Sequence, residues 1–311
     1  MKSFATLNPV LSTYAARFLA NTSELAGVRL FPVFNTNEQS GDYYVLDREN
    51  LLNIPTDIRR APGTPYKRSM SQLSSDGYYC RDYGIAEPID DSEARKYASR
   101  LDADKSALNR ALYIVLMNHE MRVRDIATSA AVPHSSPTTK WNAGTGSNPI
   151  GDVSMAREVI HDNTGMDPNV MLISRDVFNV LKEHPSILDK IKYTQKGVVT
   201  ADLLAMVFGV EEMIIAGGLT NTANEGQAMN IAKVWGKSVI LAVRNPAQDL
   251  RSPNFGRTFN WTSMGGSGEG GIRVESYRDE DASSFIHRAR QYTDEKLVGA
   301  EAGYHLSEVL G

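Results

Sequence analysis

From Asp90 to Ile126 the chain keeps one helical period: Ala94, Tyr97, Leu101, Leu108, Leu112, Val115, Leu116, His119, Val123 and Ile126 recur at three- and four-residue steps. The spacing predicts a single amphipathic helix of roughly thirty-five residues, a rod of about 50 Å. Asp90 or Asp91 can cap its start, Glu93 falls in the first turn, and Pro133 lies beyond its end. So long an apolar stripe must be covered by a sheet or by another subunit.

The last third of the sequence supplies candidate strands for that cover. Trp235 to Val243 and Ile272 to Val309 read as successive β segments. Ser238-Val239-Ile240-Leu241-Ala242-Val243 and Ile272-Arg273-Val274-Glu275-Ser276-Tyr277 are rich in β-branched and aromatic residues, and turn clusters bound them. From Ser284 to Tyr292, Phe285, His287, Ala289 and Gln291 alternate with Ile286, Arg288, Arg290 and Tyr292, the pattern of a sheet covered on one face. None of these segments carries recognisable site chemistry, which favours a chain that holds a shape over one that turns over a substrate.

Ahead of the helix, Tyr14 to Leu19 could make a helical turn or two and Val28 to Phe34 a short strand, so the first forty residues read as an arm. Asp42 to Leu46 and Tyr78 to Tyr83 look like two strands of one ribbon, joined by a long polar connection with Pro55, Pro62, Gly63 and Pro65. That connection also holds an apolar patch, Leu51, Leu52 and Ile54. Loops beyond about 15 residues are uncommon in compact monomeric domains. Packing on a neighbouring subunit removes the difficulty; a lid over an active site, or plain surface disorder, is the other reading.

After the helix, Ala131 to Pro149 is rich in Pro, Ser, Thr, Gly and Asn and marks an internal boundary. An α/β pattern follows. Asp152 or Ser154 can cap a helix running to about His161, Val170 to Ile173 make a short buried strand, and Ser174 caps a helix carrying Val177, Phe178, Val180 and Leu181. Pro185 stops that helix, Ile187 to Ile191 begin another, Thr200 caps the next, and Val210 to Ala216 lead into a strand ending at Gly217-Gly218.

A chain of 311 residues is too long for one small core and fits two lobes or one elaborated domain. Lys+Arg 33 against Asp+Glu 37 leaves a net charge of -4, with no overall basic surplus for gripping phosphates. Cys80 is the only cysteine, so neither an intrachain disulfide nor a CxxC zinc site is possible, which suits a reducing compartment. No window approaches the ~20 apolar residues of a membrane span, and no apolar segment follows Lys2 as in a signal peptide.

Candidate motifs fail on context. Gly266-Ser267-Gly268-Glu269-Gly270-Gly271 spells a dinucleotide fingerprint but precedes a strand-like run where a helix N-terminus is required, so it reads as a hairpin tip. Ser267 is no nucleophile elbow, because Glu269 stands where the second glycine belongs. His119, His134, His161, His184, His287 and His305 form no HExxH or HxH pair, and His119 reads as a packing residue. Asp279-Glu280-Asp281 lacks the alternation and glycine of a calcium loop and reads as a solvated turn. No catalytic residue, metal ligand or cofactor is expected.

The order of elements resembles the major capsid proteins of tailed bacteriophages, the Hong Kong 97 fold, over nearly the whole chain. The resemblance is most specific in Pro168 to Phe178, His184-Pro185 through Tyr193, Gly209 to Gly218, Val234 to Leu241 and Val274 to Glu280. It implies an α+β subunit with residues 1–34 as N-terminal arm and 35–88 as extended E-loop. The P-domain, with its long spine helix, would take 89–150 and 256–311, and the axial A-domain 151–255. It further implies hexamers and pentamers of an icosahedral head around double-stranded DNA, held by weak non-specific contact. A separate scaffolding protein and a portal are expected partners; relatives with a fused scaffold begin with a long helical, usually acidic segment and this chain begins with the arm, so either a separate scaffold is used or such a segment was removed. The virion is the expected location, after assembly in the host bacterial cytoplasm. Leu51, Leu52, Ile54, Tyr66 and Lys67 are the expected inter-subunit contacts. Some relatives cross-link a loop lysine to a neighbour's asparagine; Lys67 lies in the matching loop, as a solvated lysine also would. An encapsulin-like compartment, or a cytoplasmic α/β enzyme with a long lid, are the alternatives.

Overall fold

The computed structural model describes residues 6–7, 25–45, 58–66, 74–96, 100–144, 146–192, 199–224, 226–250, 252–266 and 269–311. Strand β1 (Thr6–Leu7) precedes a helical turn, α1 (Gly27–Leu30), and strand β2 (Val33–Thr36). Strands β3 (Ser40–Tyr44) and β4 (Ser75–Tyr79) form an antiparallel ribbon. Then come β5 (Arg81–Asp90), a single turn α2 (Asp91–Ala94) and the long helix α3 (Arg100–Ala127). β6 (His134–Ser135), α4 (Pro149–Thr164), β7 (Val170–Ser174), α5 (Arg175–Glu183), α6 (Pro185–Ile191), α7 (Ala201–Phe208) and β8 (Glu212–Ala216) follow. A short ribbon, β9 (Leu219–Asn221) and β10 (Ile231–Lys233), leads to β11 (Val239–Ala242), β12 (Gly256–Trp261), β13 (Ile272–Asp279), β14 (Ser284–Leu297) and β15 (Gly303–Leu306).

Two sheets organise these elements. In the six-stranded sheet the long β14 is the axis. β5 runs antiparallel along one edge of it, from Ser284 paired with Asp90 to Thr293 paired with Arg81. The opposite edge is shared: β13 pairs with Ser284 to Gln291 and β12 with Thr293 to Leu297. β2 adds in parallel to β12, and β1 antiparallel to β13. Helix α3 covers one face, where Leu108, Ala111, Leu112 and Val115 pack against Val274, Ala289 and Ile85. The alternation read from Ser284 to Tyr292 is the pleat over its middle: His287, Ala289 and Gln291 are buried and Ile286, Arg288 and Arg290 only partly so, while at the two ends Phe285 is only half-buried and Tyr292 is buried.

Two expectations are corrected here. The long helix starts at Arg100 and not Asp90: strand β5 runs on to Asp90, and Asp91–Ala94 closes as a separate single turn, with its C-cap at Arg95, ahead of the helix. Asp90 does cap, but only the single turn α2, accepting from Ser92 N at 2.7 Å. Val28 to Phe34 is likewise not one strand. Its first part is the α1 turn, with Leu30 and Phe31 buried, and the strand begins at Val33. At Gly256 a Cβ would lie 2.3 Å from the Phe31 ring, so only glycine lets that ring pack against β12.

The five-stranded sheet runs β6, β15, β11, β7, β8, with parallel pairs at both edges and antiparallel pairs inside. Every residue of β7 and β11 is buried, so these strands read as unbroken apolar runs with cover on both faces. Ile160 of α4, Val177 and Leu181 of α5, Ile187 of α6, and Leu204 and Phe208 of α7 share one core cluster with both strands. Local signals set the helix ends. Thr200 accepts from Leu203 N at 3.4 Å, and Gly209, at φ 67°, closes α7 in the left-handed conformation. The cap of α4 is Asn148, accepting from Gly151 N at 3.0 Å, and neither Asp152 nor Ser154. Asp152 instead accepts from the Trp141 indole at 2.8 Å. Beyond the 151–255 span, this sheet also takes in β6 and β15.

Candidate assembly surfaces and the buried joint

Of the five expected contact residues, Leu51, Leu52, Ile54 and Lys67 lie outside the described residues. Tyr66 is described and 73% exposed, with the Arg60 guanidinium 4.7 Å above its ring, and Ile58 nearby is also exposed. These side chains project from the connection of the β3–β4 ribbon, whose base is well packed. Tyr78 stacks on Phe259 at 4.4 Å, and Tyr43 tilts against the same ring at 5.1 Å. Tyr43 donates to Asp76 at 3.0 Å. Burial, aided by that carboxylate, pushes the Tyr43 hydroxyl above its ordinary pKa. Cys80 lies at the bend from β4 to β5, fully buried, with its thiol pushed up to about 12 by burial and the nearby Asp294. It is an inert packing residue.

A second constellation lies where α3 crosses the six-stranded sheet, and it is built from charged groups. Glu120 is 1% exposed and accepts three hydrogen bonds: from Ala26 N at 2.9 Å, from Gly27 N, and from the Trp235 indole. One carboxylate thus joins α3, the start of α1 and the segment before β11. Burial raises its pKa against the pull of the three donors. A Cβ on Gly27 would lie 2.8 Å from Glu120 Oε2, so glycine is needed at this approach.

Two residues on, Arg122 donates from Nε to Glu295 Oε2 at 2.8 Å and from Nη2 to Oε1 at 3.0 Å, while its plane lies 3.7 Å over Tyr83. Thr293 adds a hydroxyl to Glu295 Oε1 at 2.9 Å. Burial pushes the Glu295 carboxyl up, but the Arg122 bonds and the charges of His119 and Arg122 outweigh it and hold the group below the usual range. His119 is wholly buried, 3.2 Å from Thr258 Oγ1 and 3.5 Å from Glu295, and burial lowers its pKa to about 4. A third ionic group, Arg29 and Arg244 on opposite oxygens of Glu212, ties α1 to β8.

Asp104, His287 and Ser276 also meet: His287 Nε2 is 2.9 Å from Asp104 and its Nδ1 is 2.9 Å from Ser276 Oγ. The order is that of a hydrolytic triad. His287, however, is 2% exposed between α3 and the sheet, so the trio fastens helix to strand. Sequence reasoning did not find it, because its members are up to 183 positions apart and no motif joins them. His184 is likewise tied down, bridging Ser147 and Ser186 at 2.8 and 2.7 Å. Among the described residues no group of three His, Cys, Asp or Glu is placed to hold a metal, and no described helix is long and apolar enough to cross a membrane.

Residues 128–235 match the family model described as phage major capsid protein E. Over 98% of its length the chain is 26% identical to the major capsid protein of Burkholderia phage BcepMu, covering 97% of that protein. Among solved structures, a phage-related protein from Bordetella bronchiseptica is 25% identical with a TM-score of 0.75, and the alignment covers 99% of both chains. The capsid of cyanophage P-SCSP1u shares the fold at a TM-score of 0.56, with 11% identity over 89% of this chain and 86% of that one.

Proposed function

We propose, taking as premise that the chain is a phage major capsid protein, that copies of it close into hexamers and pentamers of an icosahedral head in the Hong Kong 97 manner. It is a structural protein and a component of the virion. The observation that carries the reading is the match to a phage major capsid protein along the full length of both chains.

In this reading the parts divide the work. The helix-backed sheet is the rigid beam of the P-domain, 89–150 with 256–311. Strand β5 joins that beam, so the E-loop assigned to 35–88 has its working part in the β3–β4 ribbon and the connection beyond. The connection carries Leu51, Leu52, Ile54, Tyr66 and Lys67 to a neighbour, where its apolar groups leave water. The arm, 1–34, is held to the beam at its inner end by Glu120. The lobe at 151–255 is axial, and each heterologous contact closes by rotation into a ring. Many such contacts, each weak, sum to a stable shell. A separate scaffolding protein, a portal and packaged double-stranded DNA are its partners, and assembly takes place in the host cytoplasm. A modest net charge of -4 suits a wall that touches DNA without gripping it. An encapsulin-like shell is less favoured, because the full-length relative is a phage capsid protein.

Light scattering on the purified protein, expressed alone and with its neighbouring genes, tests this. Particles far larger than a subunit are expected. A monomer or dimer under every condition would overturn it.

A further inference from the structure

We propose that Asp294 is a positioning residue for assembly: its carboxylate sets the angle at which the β3–β4 ribbon leaves the six-stranded sheet. The inference rests on the shell reading and adds to it what aims the ribbon at a neighbour. β4 ends at Tyr79 and β5 begins at Arg81, so Cys80 alone separates the ribbon from a strand of the large sheet. Among the described residues β3 and β4 pair only with each other, and no ladder of main-chain bonds ties them to that sheet. A two-stranded ribbon on so short a joint has no fixed direction of its own, and side chains must supply one.

Two kinds of contact meet at the base of the ribbon, and only one is directional. Tyr78 lies flat on Phe259, with ring centres 4.4 Å apart and planes 3° apart, and Tyr43 tilts against the same ring at 41°. These contacts hold the ribbon down, but stacked rings keep most of their attraction when they slide. Hydrogen bonds tolerate no such movement. Cys80 N donates to Gln39 O at 2.8 Å, so Tyr79 N, one residue earlier, points away from β3. It donates to Asp294 at 2.9 Å, and a carboxylate of β14 thus stands where a further strand would supply a carbonyl. On the other strand of the ribbon the Tyr43 hydroxyl donates to Leu297 O at 3.2 Å. One anchor on each strand of the ribbon, both held by β14, fixes its rotation as well as its distance.

Its surroundings make Asp294 the stronger anchor. The side chain is 23% exposed, with Lys296 Nζ 3.6 Å away. Beside it, burial raises the pKa values of Tyr43 and Cys80, and the Asp294 charge adds to both shifts. A carboxylate withdrawn from water next to an aromatic cluster is costly unless a hydrogen bond compensates it, and its charge makes that bond stronger than a neutral one. In a closed shell every ribbon must reach its neighbour at the same angle. A ribbon released from Asp294 keeps its aromatic footing and loses its aim.

The test reads the ribbon through Cys80, the only cysteine, which is fully buried at the joint. Its rate of reaction with a maleimide measures how often the base of the ribbon opens. Asp294→Ala should raise that rate roughly tenfold, the share of one charge-assisted hydrogen bond, and the faster labelling should rise only slightly with added urea, the mark of a local opening. Asp294→Asn, whose amide oxygen still accepts from Tyr79 N, should stay near the wild-type rate. Particles of Asp294→Ala, measured by electron microscopy, should spread over more sizes than those of wild type, and Asp294→Asn should restore the narrow distribution. Should Asp294→Ala misfold, Asp294→Ser, with a side chain shorter by one bond, takes its place with the same expectations. Unchanged labelling and unchanged particle sizes in the folded variant would overturn the proposal. Labelling that climbs with urea as steeply as global unfolding would overturn it too, because the base would then open only with the whole subunit. A wild-type protein that never assembles would instead refute the shell reading, and the labelling would still decide whether Asp294 holds the ribbon.

Discussion

The two sheets of this protein are held in opposite ways. In the five-stranded sheet Val170, Met171, Leu172 and Ile173 lie against Val239, Ile240, Leu241 and Ala242, all at or below 1% exposure, with hardly a polar atom between them. In the six-stranded sheet the helix-covered face mixes Ala289 and Val274 with His119, Gln291, Thr293 and Glu295. An apolar core is non-directional; it fixes that elements pack more firmly than how they lie. A network of charge-assisted hydrogen bonds has one satisfied geometry, and breaking one member strands the others. The lobe is therefore a stable block, and the joint sets where α3, α1 and β14 sit relative to one another. For a subunit that must present the same edges to many neighbours, the second property matters as much as the first.

The contrast can be broken most sharply at Arg122. Arg122→Ala leaves Glu295 buried without its partner and should cost about 3–5 kcal/mol, read as a shifted urea midpoint at neutral pH. A loss below about 1 kcal/mol would mean that water already reaches Glu295, and the joint would not be the specified element described here. In the lobe, Leu172→Ala should cost about 3 kcal/mol through lost burial and the cavity left behind. That loss should be the same at pH 5 and pH 7, because no titrating group touches the site; a pH-dependent loss would place ionic coupling inside the apolar block.

Acid sharpens the comparison further. His119 has its folded pKa lowered to about 4 from 6.5, so below pH 6.5 the unfolded chain binds the extra proton and stability falls with pH. Between pH 6.5 and 5 the fall should be about 2 kcal/mol, since each unit of pH over that window is worth about 1.4 kcal/mol. Glu295, with its pKa lowered by Arg122, adds to the loss below the ordinary carboxylate range. Glu120, raised by burial, works the other way. Urea midpoints across this range for wild type and His119→Gln check the sign: the variant should show the shallower slope, and equal slopes would remove His119 from the account.

What was legible in the sequence follows from range. Much of the lobe could be read, because Thr200 and Pro185 act within one turn of where they stand, whereas the Asn148 cap of α4 and the β9–β10 ribbon were not foreseen. The pleat of β14 was legible for the same reason. Strand β5 was not: Tyr83, Ile85, Glu87 and Ile89 face α3, but Glu87 and Pro88 blur the alternation, and pairing with β14 decides the matter. The start of α1 depends on Glu120, more than ninety positions away. His119 was correctly read as a packing residue from its place on the apolar stripe. Glu120, Arg122 and Glu295 carried no signal of their own, because a charged residue on a helix or strand reads as solvated until its partner is known.

The most direct test of the central claim is a cryo-electron-microscopy reconstruction of particles formed by the purified protein. Closed shells built of six- and five-membered rings, with a helix-backed sheet in every subunit and a ribbon linking it to its neighbour, are the predicted result. A population of isolated subunits, under conditions where related coat proteins assemble, would contradict it.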